Sequence, residues 1–186
     1  MKKQVIYLSL FLFGAFSLVS CSDETKTSGK VPSTGGPNEM LVVTQNKGQW
    51  TGEMGDSIRA AFGAKMPVLP IPEAEFNLVN IQEKSMDKKM FKSHHNLFIL
   101  EIDKKFKSAY IEKRKDLWAE PQIVIKINAP DLESFLQIFE ENKHSSLELY
   151  REIERMRIIK SYASKFRDIN VVRELRKSFH LEMNVP

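Results

Sequence analysis

The 186-residue chain has one cysteine, Cys21. A lone thiol can neither close an intramolecular disulfide nor assemble a thiolate metal cluster, so stability must come from a packed core. Net charge is also small. The chain has 28 Lys and Arg against 24 Asp and Glu. Setting aside Lys2 and Lys3, which belong to the leader discussed next, 26 against 24 leaves +2, too little to imply nucleic acid as a partner. The longest apolar run, Val5 to Val19, would reach about 22 Å as a helix, short of the roughly 30 Å hydrocarbon core of a bilayer. Several chemical signatures are missing as well. There is no GxGxxG, no HExxH and no GxSxG, and no Lys-Ser or Lys-Thr pair follows Gly48, Gly52 and Gly55 as a phosphate loop would require. Neither an internal repeat nor a heptad seam is present.

What is present begins at Met1. Lys2 and Lys3 precede the apolar run, and polarity changes abruptly at Ser20 and Cys21, the layout of an export signal. Leu18, Val19, Ser20 and Cys21 resemble the lipobox read by the lipoprotein signal peptidase. In that motif the small neighbours let the scissile bond fit the enzyme, and the thiol carries the lipid. The expectation is a signal peptide over 1–20, cleavage before Cys21, and membrane attachment through lipid on that residue.

Ser22 to Asn38 is polar, rich in Ser, Thr, Gly and Pro, and has almost no large apolar side chains. It reads as a flexible tether over 21–38, ahead of a single domain over 39–186. In that domain Met40 to Thr44, Phe76 to Ile81, Asn96 to Ile102 and Gln122 to Ile127 read as strands, the last with Ile123, Ile125 and Ile127 on one face. Met54, Ile58, Ala61 and Phe62 share one face of a helix that Gly63 should close with a left-handed cap. After Ile127 the pattern turns helical. Asn128 with Pro130 starts one helix, and Ser145 with Glu148 forms a capping box for another. Along that second helix Leu147, Tyr150, Ile153, Met156, Ile159 and Tyr162 recur every three residues. Such a stripe winds round a 3.6-residue helix, so it predicts a bend near 160–165 or different partners at its two ends. Residues 168–180 read as a further short helix. Leu181, Met183 and Val185 alternate like a strand that the chain end cuts off, which predicts further strands past Pro186. The expected fold is α+β: two layers, a mainly antiparallel sheet with helices on one face, and a helical C-terminal block.

No catalytic, cofactor-binding or metal-ligating residue is assigned. His94 and His95 are adjacent, and in a strand their side chains would point to opposite faces. His144 and His180 lack metal-ligand spacing. Glu101, Asp103, Glu112, Asp116 and Glu120 are numerous enough to be a solvated surface, although two of them could serve glycoside chemistry. Lys104, Lys105, Lys107, Lys113, Arg114 and Lys115 interleave with Phe106, Tyr110 and Trp118. That segment reads as a lysine-rich edge hairpin, with anionic lipid heads or an acidic polysaccharide as the functional alternative. The charges from Arg151 to Arg157 read as intrahelical ion pairs.

Gly36 to Val43, Trp50, Gly55 to Arg59, Leu69 to Glu73 and Phe91 to Asp103 together resemble a family of Bacteroidota lipoproteins catalogued only as a domain of unknown function. The likeness runs from Gly36 to the chain end and implies an outer-membrane lipoprotein with no assigned reaction. Members look longer than this chain, and His95 stands where the resemblance expects arginine. Ser22, Asp23 and Glu24 resemble the serine-plus-acidic signal that sends lipoproteins of that phylum to the cell surface. The functional expectation is a non-enzymatic binding or envelope-maintenance lipoprotein, partnered by the membrane and by an envelope protein or polysaccharide. The alternative is a hydrolase of envelope glycan or peptide.

Overall fold

The computed structural model describes residues 29–66, 70–166 and 169–180. The apolar runs become strands and the amphipathic stretches helices. The order is β1 (Val31–Pro32), β2 (Glu39–Thr44), α1 (Lys47–Thr51), α2 (Glu53–Phe62), β3 (Asn77–Gln82), a 3-10 turn (Glu83–Ser85), α3 (Lys89–Lys92), β4 (Asn96–Ile102), β5 (Tyr110–Lys115), β6 (Ala119–Glu120), β7 (Ile123–Ala129), α4 (Leu132–Phe166) and α5 (Ile169–Phe179). Five strands form one sheet in the order β3-β2-β4-β7-β5, and β1 pairs with β6 in a small separate sheet.

Alternate residues of each central strand feed two cores. Met40 and Val42 face α2 and α4 with Ile58, Phe62, Phe135, Phe139 and Tyr150. Leu41 and Val43 face the other way, against Met86, Phe91 and Trp118. Phe62 meets Phe98, Phe139 and Tyr150 edge-on at 5.2, 5.6 and 6.0 Å, contacts worth about 0.5–1.5 kcal/mol each beyond the area they bury. The Tyr150 hydroxyl donates to Leu97 O at 2.6 Å, fastening α4 to β4. The two connections β2 to β3 and β3 to β4 run in opposite directions across the sheet. They place α2 on one face and the 83–93 segment on the other, as a common crossover hand requires.

The α+β class, the long helices packed on one face and the helical C-terminal block are as expected. The mainly antiparallel sheet is not. β2 pairs in parallel with both β3 and β4, β4 pairs in parallel with β7, and only β5 is antiparallel. The reason is two-sided burial: a strand covered on both faces reads as a continuous apolar run, the mark of a parallel sheet. Two helix expectations also change. α4 is one continuous 35-residue helix. Its N-terminal cap is Asp131, whose Oδ1 accepts Ser134 N–H at 2.8 Å, and the Ser145 hydroxyl turns back to donate to Asn142 O at 3.0 Å instead of capping a new helix. Gly63 closes α2 at φ −97°, outside the left-handed region, donating its N–H to Arg59 O.

The end of the expected tether is bound to the domain. Ser33 N donates to Glu120 O, Thr34 N to Ser93 O, and His95 N to Thr34 O at 2.9 Å, while Lys30 Nζ reaches Asp116 O. Residues 30–38 form a strap along the amino ends of the strands, so ordered structure starts ahead of Glu39. Leu18, Val19, Ser20, Cys21, Ser22, Asp23 and Glu24 lie outside the described residues, as do Leu181, Met183 and Val185.

Candidate functional site

The most concentrated polar chemistry lies where the strap crosses the amino ends of β2 and β4. α3 ends at Ser93, and the chain bends at His95 before β4 begins. Because the two histidines precede the strand, they do not diverge to opposite faces. Their rings stack at 4.6 Å with an interplanar angle of 21°. Gly35, at φ +113°, lies against both rings, and a Cβ there would stand 2.5 Å from His95 Nδ1 and 2.7 Å from His94 Nε2. Glycine is required here both by its backbone conformation and by space.

His94 is held at both ring nitrogens and His95 at one. His94 Nε2–H donates to Glu39 Oε1 at 3.1 Å. His94 Nδ1 sits between Asn96 N (3.3 Å) and Asn96 O (3.0 Å), so it accepts from the first in a neutral ring and donates to the second in a protonated one. His95 Nδ1–H donates to Thr34 O at 2.5 Å. His95 Nε2 is 3.1 Å from Glu154 Oε1, within ion-pair range but off the line a hydrogen bond needs. With a carbonyl on one side and a carboxylate on the other, the His95 ring faces two acceptors.

Glu154 is the hub. Its side chain, only 4% exposed, enters from α4 one turn after Tyr150. It accepts from Asn96 Nδ2 at 2.7 Å, Arg157 Nη1 at 2.5 Å and Asn38 N at 3.3 Å. Burial pushes its carboxyl up, but His95, Arg157 and Asn96 together outweigh burial and bring it down to about 2. Glu39 is held below the usual carboxylate range first by the His94 hydrogen bond. Burial, in turn, pulls His94 below the usual imidazole range despite Glu39. The cluster therefore holds two ionised carboxylates at neutral pH. Beside it a cavity of about 480 Å³ opens between strap and helix, lined by Pro32, Pro37, Glu154, Arg157, Ile158 and Tyr162.

The carboxyl ends of the strands, where open α/β sheets usually bind ligands, are occupied differently. Gln45 Oε1 accepts from Ile102 N and Gln49 Nε2, and Gln45 N donates to Gln49 Oε1. The acids singled out from sequence are dispersed. Glu101 takes Lys105 and Lys126, Glu112 takes Arg114 and Asn128, and Asp116 takes Gln122 N. His144 and His180 are exposed. The basic and aromatic segment divides: β5 is the lysine-rich edge strand, and Trp118 turns under the sheet. Gly55 serves helix packing, since a Cβ there would stand 1.8 Å from Trp50 O. Among the described residues no group of three or more His, Asp or Glu is placed to hold a metal ion.

Sequence reasoning found neither Glu39, Asn96 nor Glu154. The one available signal was Glu154 itself, a charge four residues after Tyr150 on the stripe that Phe135, Phe139 and Tyr150 bury. A family model described as Domain of unknown function (DUF8532) matches residues 33–163, from the strap through the cluster to the outer part of α4. No curated protein and no solved structure matches the chain.

Proposed function

The chain belongs to this family of domains of unknown function, and on that footing we propose that it is an outer-membrane lipoprotein whose domain binds a ligand or partner without turning it over. Lipid on Cys21 supplies the membrane attachment, with Leu18, Val19 and Ser20 presenting the cleavage site. Ser22, Asp23 and Glu24 direct the protein toward the cell surface. The resemblance to Bacteroidota lipoproteins supports the anchored half of this reading.

One observation carries the other half. The only group of histidines and acids the fold assembles among the described residues is closed on itself: every ring nitrogen faces a protein oxygen or amide, and both carboxylates are kept ionised. General acid–base chemistry needs a group of matched pKa within reach of a substrate. Glu154 at about 2 is far from that, and its contacts clamp strap, sheet and helix together. The alternative, a hydrolase of envelope glycan or peptide, would have to work through His94 and Glu39, the more exposed pair. The test is incubation of the full chain with peptidoglycan fragments and envelope polysaccharide, beside His94→Gln and Glu39→Gln. No product above buffer is expected from any of the three; turnover by the parent that either substitution abolishes would overturn the binding reading.

A further inference from the structure

The face of the sheet away from α2 and α4 carries a cavity of about 590 Å³, within the range of small-molecule sites. Its floor is Val43, Ile99 and Val124, and Met86 and Trp118 form apolar walls. A second cavity of about 300 Å³ shares Lys92 and Trp118 with the first, so the two lie side by side at that pair. Among the described residues the smaller one is lined by Lys30, Lys89 and Lys92 and by no carboxylate.

The charges differ in how far they are already satisfied. In the larger cavity Lys126 is held by Glu101 at 2.5 Å. Glu112 is held by Asn128 Nδ2 at 3.0 Å and Arg114 at 3.3 Å, and Glu83 is the remaining acid of that lining. In the smaller cavity Lys92 lies 4.0 Å from an almost fully exposed Asp87, a contact worth little. Lys89 makes no ion pair among the described residues. Lys30 donates to the Asp116 carbonyl, which leaves its charge uncompensated. A cavity with an apolar floor thus adjoins a lysine-lined one, with the Trp118 indole lining both.

We infer that these adjoining cavities bind a single-chain anionic amphiphile that passes Trp118, its apolar body along Val43, Ile99 and Val124 and its phosphate or carboxylate between Lys89 and Lys92. The charge complementarity selects the anion, since a neutral head would leave the lysine cluster repelling itself. The inference deepens the binding reading and rests on it.

The experiment places the full chain in nanodiscs of neutral phosphatidylcholine and adds dodecyl phosphate bearing a terminal diazirine. The matching dodecanoate and the uncharged dodecanol are run in parallel. After photolysis, label is expected on peptides carrying Met86, Trp118 or Val124, and unlabelled dodecyl phosphate should compete it away. Labelling should fall about tenfold with dodecanol and about tenfold in Lys89→Glu/Lys92→Glu. The milder Lys89→Gln/Lys92→Gln pair reads the same loss if charge reversal disturbs folding. The better of the two anions identifies the headgroup. Label spread without preference for those peptides, equal labelling by the alcohol, or unchanged labelling in both lysine pairs overturns the site. So does a lysine dependence seen only as binding to phosphatidylglycerol nanodiscs, which would make the lobe a bilayer contact. Any of these leaves the binding reading standing, whereas cleavage of a probe by the chain would break that reading.

Discussion

At the scale of single residues, Gly35 is the most constrained position in the strap. Gly35→Ala combines an unfavourable positive φ with a Cβ 2.5 Å from His95, and should cost about 3 kcal/mol, or roughly 6–12 °C in thermal midpoint. Gly36→Ala is the control. Its Cβ would meet only the end of the Glu39 side chain at 3.1 Å, and its melt should move by less than about 2 °C. The ionisable residues make the fold sensitive to acid. His94 is lowered from 6.5, so the unfolded chain takes up that proton first and stability falls as pH drops below 6.5. Glu154 is lowered from 4.5 to about 2, so its contribution is complete above 4.5 and is lost as pH falls toward 2. Denaturant midpoints measured from pH 7.5 to 2.5 should decline in those two stages. Glu154→Gln should shrink the lower stage, to which Glu39 and Glu101 also contribute, at a cost of about 3 kcal/mol at neutral pH because it leaves His95 and Arg157 without their carboxylate. None of this was legible in the sequence, because the partners stand far apart along the chain. Asn96 and Glu154 are 58 positions apart, and His95 and Thr34 are 61 apart. Only the topology joins them.

At the scale of elements, the strap is where the sequence misleads most. Its composition has too little apolar area to order itself, and it is ordered instead by backbone bonds to strand ends and by Gly35 against the imidazoles. A chain starting at Gly29 keeps all of these bonds. One starting at Glu39, the boundary composition suggests, loses the bonds from Ser33, Thr34 and His95 and should be less stable by about 3 kcal/mol. Equal melts for the two would show that the strap contributes nothing. Strand positions were legible because apolar runs of that length and β-branching have few alternatives. Strand direction was misread: Met40 to Thr44 is buried without interruption, as a parallel strand is, but the alternation of Ile123, Ile125 and Ile127 suggested a half-exposed strand. β7 is in fact buried on both faces, with Val124 under the second core. On α4 the winding stripe predicted a bend near 160–165 or different partners at its two ends. The helix runs on to Phe166 with Leu147 and Tyr150 buried, while Met156 and Tyr162, further along, are exposed.

At the scale of the whole molecule, the proposed function divides the chain between an anchor, whose expected signal lies in the first 21 residues, and a domain described from Gly29 onward. Under the proposed function the anchor fixes where the domain works, and that part of the proposal depends on Cys21 carrying lipid. The direct measurement is metabolic labelling with radioactive palmitate, followed by membrane fractionation, for the parent chain and for Cys21→Ala. The parent should incorporate label and sediment with membranes, while Cys21→Ala should take up none and leave the anchored fraction with an unchanged domain melt. Label persisting in Cys21→Ala, or unaltered membrane retention without label, would contradict the account.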